Sequence, residues 1–185
     1  WGKGERIMDK IEYAIFYATK AHKGQKRKQK DVDMIFHPFT VGMILQRNGC
    51  DEDIVTAGIL HDVVEDTQHT FEDIEKEFGK KVRDYVYDAS EPDKSLPWKE
   101  RKQHTINHIK TAPLGSKLIV ASDKINNLED SISNIKECGE DKVLSRNPEE
   151  QKWYYTSVYK SCIENVDANH PIFVRYKKVL EELWK

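Results

Sequence analysis

The chain has 185 residues, 38% of them hydrophobic, and its 30 basic and 32 acidic side chains give a formal net charge of −2. That length suits one compact domain rather than two, and the balanced charge argues against a surface devoted to nucleic acid or an anionic membrane. No apolar run approaches the roughly 18 residues needed to span a bilayer, and the three scattered cysteines, Cys50, Cys138 and Cys162, lack CxxC or zinc-ligand spacing and read as reduced thiols of a cytoplasmic protein.

The opening WGKGER, residues 1–6, has no initiator Met and reads as a tag or loose N-terminus, with Met8 a candidate start. Ile7, Ile11, Ala14, Ile15, Ala18 and Ala21 recur at helical spacing, and Gly24 is placed to end that helix. The basic stretch 23–33 has no period and reads as a loop. Pro38 suits the first turn of a second helix ending at Gly49, and Asp51 can cap a third that runs through Ile54, Ala57, Leu60 and Val64. Thr70 opens a fourth helix, stopped by Gly79, and a fifth covers 80–89. After a loop with two prolines comes a polar helix over 98–112, ended by Pro113 and Gly115. Leu118, Ala121, Ile125, Leu128, Ile132 and Ile135 form one continuous stripe of a long helix over 116–137, closed by Gly139. Two aromatic-rich helices follow, over about 148–165 and 171–184. With no internal repeat and no convincing strand pair, the expected fold is all-α, a single helical bundle over residues 1–185.

One stretch resists a purely structural reading. GILHDVVEDT, Gly58 to Thr67, sets His61, Asp62, Glu65 and Asp66 into an otherwise apolar helix, where i and i+4 are neighbours, so that His61 sits over Glu65 and Asp62 over Asp66. Such a patch could be the polar face of a surface helix. Alternatively, a bound divalent cation offsets the like-charge repulsion and desolvation. His37 in FHPF and Asp123 in VASDKINNLED supply further ligand types, the latter in a polar row with Asn127 and Asp130 opposite the apolar stripe. Singly, His37 reads as a structural histidine and the Asp123 row as a solvent face.

Together, His37, His61, Asp62 and Asp123 form the order H, HD, D, which resembles that of the HD-domain metal-dependent phosphohydrolases. AHKGQKRK at 21–28, IFHPFTVG at 35–42, ILHDVVEDT at 59–67, FGKKV at 78–82 and ASDKINNLED at 121–130 resemble successive signature blocks of the RelA/SpoT-type alarmone hydrolases, best of all the single-domain small alarmone hydrolases. The resemblance implies a helical HD fold and a single Mn²⁺ held by His37, His61, Asp62 and Asp123. It implies removal of the 3′-pyrophosphate from guanosine tetra- or pentaphosphate, a small-molecule nucleotide substrate. By the same resemblance Glu65 and Asp66 orient and deprotonate the attacking water, and Arg27, Lys28, Asn127 and Tyr154 contact the nucleotide. Lys99, Arg101 and Lys102 either meet the polyphosphate or form an exposed helix face.

Departures from the pattern lie off the metal quartet: Ser122 where a small apolar residue is common, Asn126 where an aromatic or histidine is common, and Glu129 where an arginine is frequent. They leave guanine against adenine preference open. Other HD phosphohydrolase activities, on adenosine alarmones, the 2′-phosphate of NADPH or 5′-nucleotides, remain alternatives, as does a catalytically silent nucleotide-binding module. The sequence does not fix the oligomeric state.

Overall fold

In a computed structural model that describes residues 7–27, 31–91, 94–139 and 147–185, the chain is built from helices. Their limits follow local signals. α1, Lys10–Ala21, starts on a capping box in which Asp9 and Glu12 exchange side-chain-to-backbone hydrogen bonds. α2, Phe36–Arg47, begins two residues before Pro38, so His37 lies inside its first turn. α3, Glu52–Leu60, is capped by Asp51. α4, Val63–Asp66, is a single turn. α5, Phe71–Phe78, carries a second capping box, from Thr70 and Asp73, and Gly79 at φ 92° turns the chain directly into α6, Lys80–Ala89. α7, Trp98–Thr111, and α8, Leu114–Cys138, follow. Beyond residues 140–146, which lie outside the described residues, α9, Pro148–Cys162, and α10, Pro171–Leu183, both open on a proline in the first turn.

The organising element is α8, which packs against α2, α3, α6, α9 and α10. Residues 115–123 of α8 are buried without interruption, so here the helix is covered on every side. The polar row Asp123, Asn127 and Asp130 does not lie on an open solvent face: Asp123 is 8% exposed, and Asn127 and Asp130 are half-buried. α3 is also central, with Ile54 through Leu60 all buried. It crosses α2 at close range, because Gly42 and Gly58 carry no side chain at the crossing; a Cβ on Gly58 would lie 2.3 Å from Leu45 Cδ1. One contiguous hydrophobic cluster runs from Ala14 of α1 to Leu180 of α10.

The expected continuous third helix is interrupted. α3 ends at Leu60, His61 and Asp62 form a turn, and Glu65 and Asp66 belong to α4. The backbone stays near helical, since Asp66 N–H still bonds Asp62 O at 2.9 Å, but the break frees carbonyls at the end of α3. The basic loop carries a short antiparallel bridge between Lys26 and Asp33. No described helix is long and apolar enough to cross a membrane.

Candidate metal centre and active site

Four elements converge on one point. α2 brings His37, the turn after α3 brings His61 and Asp62, α4 brings Glu65 and Asp66, and α8 brings Asp123. His37 Nε2 lies 3.1 Å from Asp123 Oδ1 and 3.6 Å from Asp62 Oδ2, while His61 Nε2 lies 3.2 Å from Asp62 Oδ1 and 3.7 Å from Asp123 Oδ1. One ligand atom each from His37, His61 and Asp123 falls within 4.8 Å of the others. Asp62 faces both imidazoles from the edge of that compact group.

Both histidines are turned by their other nitrogen. His61 Nδ1 donates to Gly58 O at 2.7 Å, one of the carbonyls left open at the end of α3. His37 Nδ1 donates to Asn126 Oδ1 at 2.6 Å. Each ring then directs Nε2 inward, and His61 Nε2 is buried with no hydrogen-bond partner. A buried nitrogen that makes no hydrogen bond, facing two carboxylates and a second imidazole, belongs to a donor set that fits a divalent first-row cation.

The electrostatics agree with a cation site. Burial alone would lower the His61 pKa, but the Asp62 and Asp123 carboxylates outweigh it and lift it to about 9, so a metal ion must displace a proton there. Burial likewise opposes ionisation of Asp123, yet Lys124 and the two imidazoles hold it well below the usual carboxylate range. Lys124 Nζ sits 2.6 Å from Asp123 Oδ2, which leaves Oδ1 to face the imidazoles. Glu65 is raised by burial and by Asp62 and Asp66, with Lys94 and Lys124 opposing. Lys94 Nζ donates to Asp66 Oδ1 and Glu65 O, each at 2.9 Å, and Glu91 N–H donates to Glu65 Oε2 at 3.1 Å. Glu91 is in turn held by Arg101 at 2.7 Å and by Lys102, so these two bases of α7 face a carboxylate rather than an open helix surface.

The nucleotide-contact candidates separate. Arg27 is tied to α8: its Nη2 lies 2.6 Å from Asp130 Oδ2 and 3.1 Å from Asn127 Oδ1, and Asn127 Nδ2 donates to Asp123 Oδ1 at 2.6 Å. Arg27, Asn127 and the metal-ligand candidates thus form one connected network. Lys28 lies outside the described residues. Tyr154 is only 3% exposed, with its ring beneath Lys102 and Lys124 at 4.7 and 5.6 Å, so little of it is open to a ligand; Tyr155 beside it is half-buried. The residues that sequence reasoning did not assign are those acting through others: Asn126, Lys124, Glu91 and Lys94. Asn126 was marked only as a departure from the family pattern and Lys124 only by adjacency to Asp123, and the loop prolines near Glu91 and Lys94 gave no sign of their contacts.

The profile of the HD-domain family matches residues 14–143. The guanosine-3′,5′-bis(diphosphate) 3′-pyrophosphohydrolase MESH1 of Xenopus tropicalis is 42% identical over 123 residues, 65% of this chain and 68% of that protein. The human MESH1 is 38% identical over 130 residues, 69% of this chain and 72% of that protein. A solved structure described as a metazoan ortholog of SpoT that hydrolyzes ppGpp superposes with a TM-score of 0.79 at 29% identity, covering 97% of this chain and 98% of that one.

Proposed function

The chain belongs to the HD-domain family, and from that premise we propose that it is a metal-dependent hydrolase that removes the 3′-pyrophosphate of guanosine 3′,5′-bis(diphosphate), giving GDP and pyrophosphate. The observation that carries the reading is the compact group of His37, His61 and Asp123 with Asp62 at its edge, whose buried His61 Nε2 makes no hydrogen bond within the protein. The similarity to the MESH1 pyrophosphohydrolases supports the choice of substrate. His37, His61, Asp62 and Asp123 would hold the ion, and two imidazoles with two carboxylates suit Mn²⁺. Bound there, the ion supplies Lewis-acid polarisation of the attacked phosphoryl group and a lowered pKa for a coordinated water.

The remaining work falls to side chains of this chain. Glu65 and Asp66, one turn beyond the ligands, take the proton of the attacking water as its oxygen bonds to the phosphorus next to the 3′-oxygen. The bond from that phosphorus to the 3′-oxygen breaks, and the 3′-oxygen leaves as a hydroxyl, taking up the proton that the carboxylates removed from the water. A raised Glu65 is a stronger base than an ordinary surface carboxylate, which suits the role. Arg27, its guanidinium plane held by Asp130 and Asn127, offers a flat cationic face to a purine. Asn127 links that face to Asp123. Tyr154, being buried, acts beneath Lys102 and Lys124 rather than as a stacking surface. The free thiols Cys50 and Cys162 suit a reducing compartment, and we assign the reaction to the cytoplasm.

The test is incubation of the purified protein with guanosine 3′,5′-bis(diphosphate) and Mn²⁺, with products resolved chromatographically. GDP and pyrophosphate are expected. Release of orthophosphate alone would overturn the assignment.

A further inference from the structure

We propose that Asn126 is a positioning residue of the metal centre: its amide oxygen fixes the Nδ1–H tautomer of His37 and so presents His37 Nε2 to the ion. The inference rests on the metal-centre reading above and names a residue that reading does not use. His37 is 1% exposed and Asn126 3% exposed, so neither has bulk water as an alternative partner. Their contact, His37 Nδ1 to Asn126 Oδ1, is 2.6 Å long. An amide oxygen can only accept, so the imidazole must donate through Nδ1 and keep its lone pair on Nε2. That lone pair faces Asp123 Oδ1 at 3.1 Å and Asp62 Oδ2 at 3.6 Å, where a cation would sit.

The opposite tautomer would be costly for the site. With the proton on Nε2, His37 would donate to Asp123 and occupy the ligand oxygen itself. His61 avoids this with a backbone carbonyl, Gly58 O, whose acceptor character no substitution can change. His37 begins a helix and has no such carbonyl in contact; its acceptor comes from a side chain on another helix. Asn126 lies three residues after Asp123, so one turn of α8 supplies both a ligand and the group that orients a ligand from α2. An asparagine does this without adding charge. Asp62 and Asp123 already balance a dication, and a third carboxylate would make the centre net negative.

Partners of this kind typically change metal affinity by roughly 10- to 100-fold when removed. Asn126→Leu keeps the approximate volume and deletes the acceptor. The expected result is Mn²⁺ affinity, measured by calorimetry without nucleotide, weakened by roughly 10- to 100-fold. The nucleotide KM measured at saturating Mn²⁺ stays near wild type, and kcat is largely restored when Mn²⁺ is raised. Asn126→Asp, which retains the acceptor, restores the affinity. Unchanged Mn²⁺ affinity in Asn126→Leu, or a loss that Asn126→Asp does not repair, would overturn the assignment. If Asn126→Leu does not fold, the wild-type protein decides the matter: ¹⁵N spectra of the histidine rings with diamagnetic Zn²⁺ bound should show His37 Nδ1 as protonated, and an unprotonated Nδ1 is the contrary result. The deciding readouts, Mn²⁺ affinity and the ring spectra, need no turnover. A protein without pyrophosphohydrolase activity but with an Asn126-dependent metal site sinks only the substrate reading, whereas an active enzyme indifferent to Asn126 sinks only this one.

Discussion

Glu65 is the residue whose chemistry the site defines most sharply, because its carboxylate is raised by burial and by Asp62 and Asp66 while Glu91 N–H and Lys94 hold it in place. Glu65→Gln keeps the shape and the contact with Glu91 N–H but cannot take a proton. Steady-state assays should find kcat lower by roughly 10²- to 10⁴-fold with KM nearly unchanged; full turnover in this variant would remove Glu65 from the mechanism. Among the proposed ligands, His61→Ala deletes the Nε2 that makes no hydrogen bond, and elemental analysis after dialysis should find bound manganese lost; a full complement would contradict its role as a ligand. Cys162 is a contrasting case with no part in the chemistry. Burial pushes its thiol up to about 12. A raised acid keeps its proton in the folded state after the unfolded thiol, near its ordinary value of about 8.5, has lost it. Its contribution is therefore fully present below that pH and is lost as pH rises from there toward 12. Urea titrations between pH 8 and 10 should show a stability decline that is shallower in Cys162→Ala, and an identical slope in the two proteins would refute this.

At the scale of elements, the site depends on how closely α2 and α3 approach and on where α3 stops. Gly58 serves both: it has no Cβ to strike Leu45, and its carbonyl receives His61 Nδ1. Gly58→Ala gains about 1 kcal/mol of helix propensity. Against that, Leu45, fully buried, would have to move, and overpacking of this kind costs about 1–3 kcal/mol. The clash should win, lowering the thermal midpoint and weakening metal binding together, as calorimetry with and without Mn²⁺ can read. A midpoint at or above wild type would show that the crossing has slack. The same crossing makes the break at His61 and Asp62 useful, because it frees the carbonyl that orients the imidazole.

Across the whole molecule, the last helix closes the core against α8 and α9. Phe173 of α10 is fully buried, and Phe173→Ala should cost about 3–5 kcal/mol in urea unfolding. Two residues on, Arg175 makes a bidentate pair with Glu129 at 2.8–3.0 Å, but both side chains are about a third or more exposed. Arg175→Ala should cost no more than about 1 kcal/mol. The reverse order of these two effects would mean that charge rather than apolar burial docks the C-terminal helix.

Much of this molecule is legible without coordinates. Helix starts at Asp51, Thr70, Pro148 and Pro171 and stops at Gly49, Gly79 and Gly139 are local events, settled by a side chain that can cap or a backbone that can take a positive φ, so they are written in a few consecutive residues. The ligand types His37, His61, Asp62 and Asp123 were legible for another reason: their order along the chain carries a family resemblance. What the sequence could not determine is which face of α8 is wet. Asp123, Asn127 and Asp130 have the spacing of a solvent row, and only the packing of five helices around α8 keeps that row from being an open solvent face. The break after Leu60, the burial of Tyr154 and the bond from His37 to Asn126, 89 residues away, are likewise products of tertiary contact. The order of residue types sufficed to propose the ligands, because ligand chemistry belongs to single side chains; how each candidate is aimed depends on distant groups, and only the folded chain brings those together.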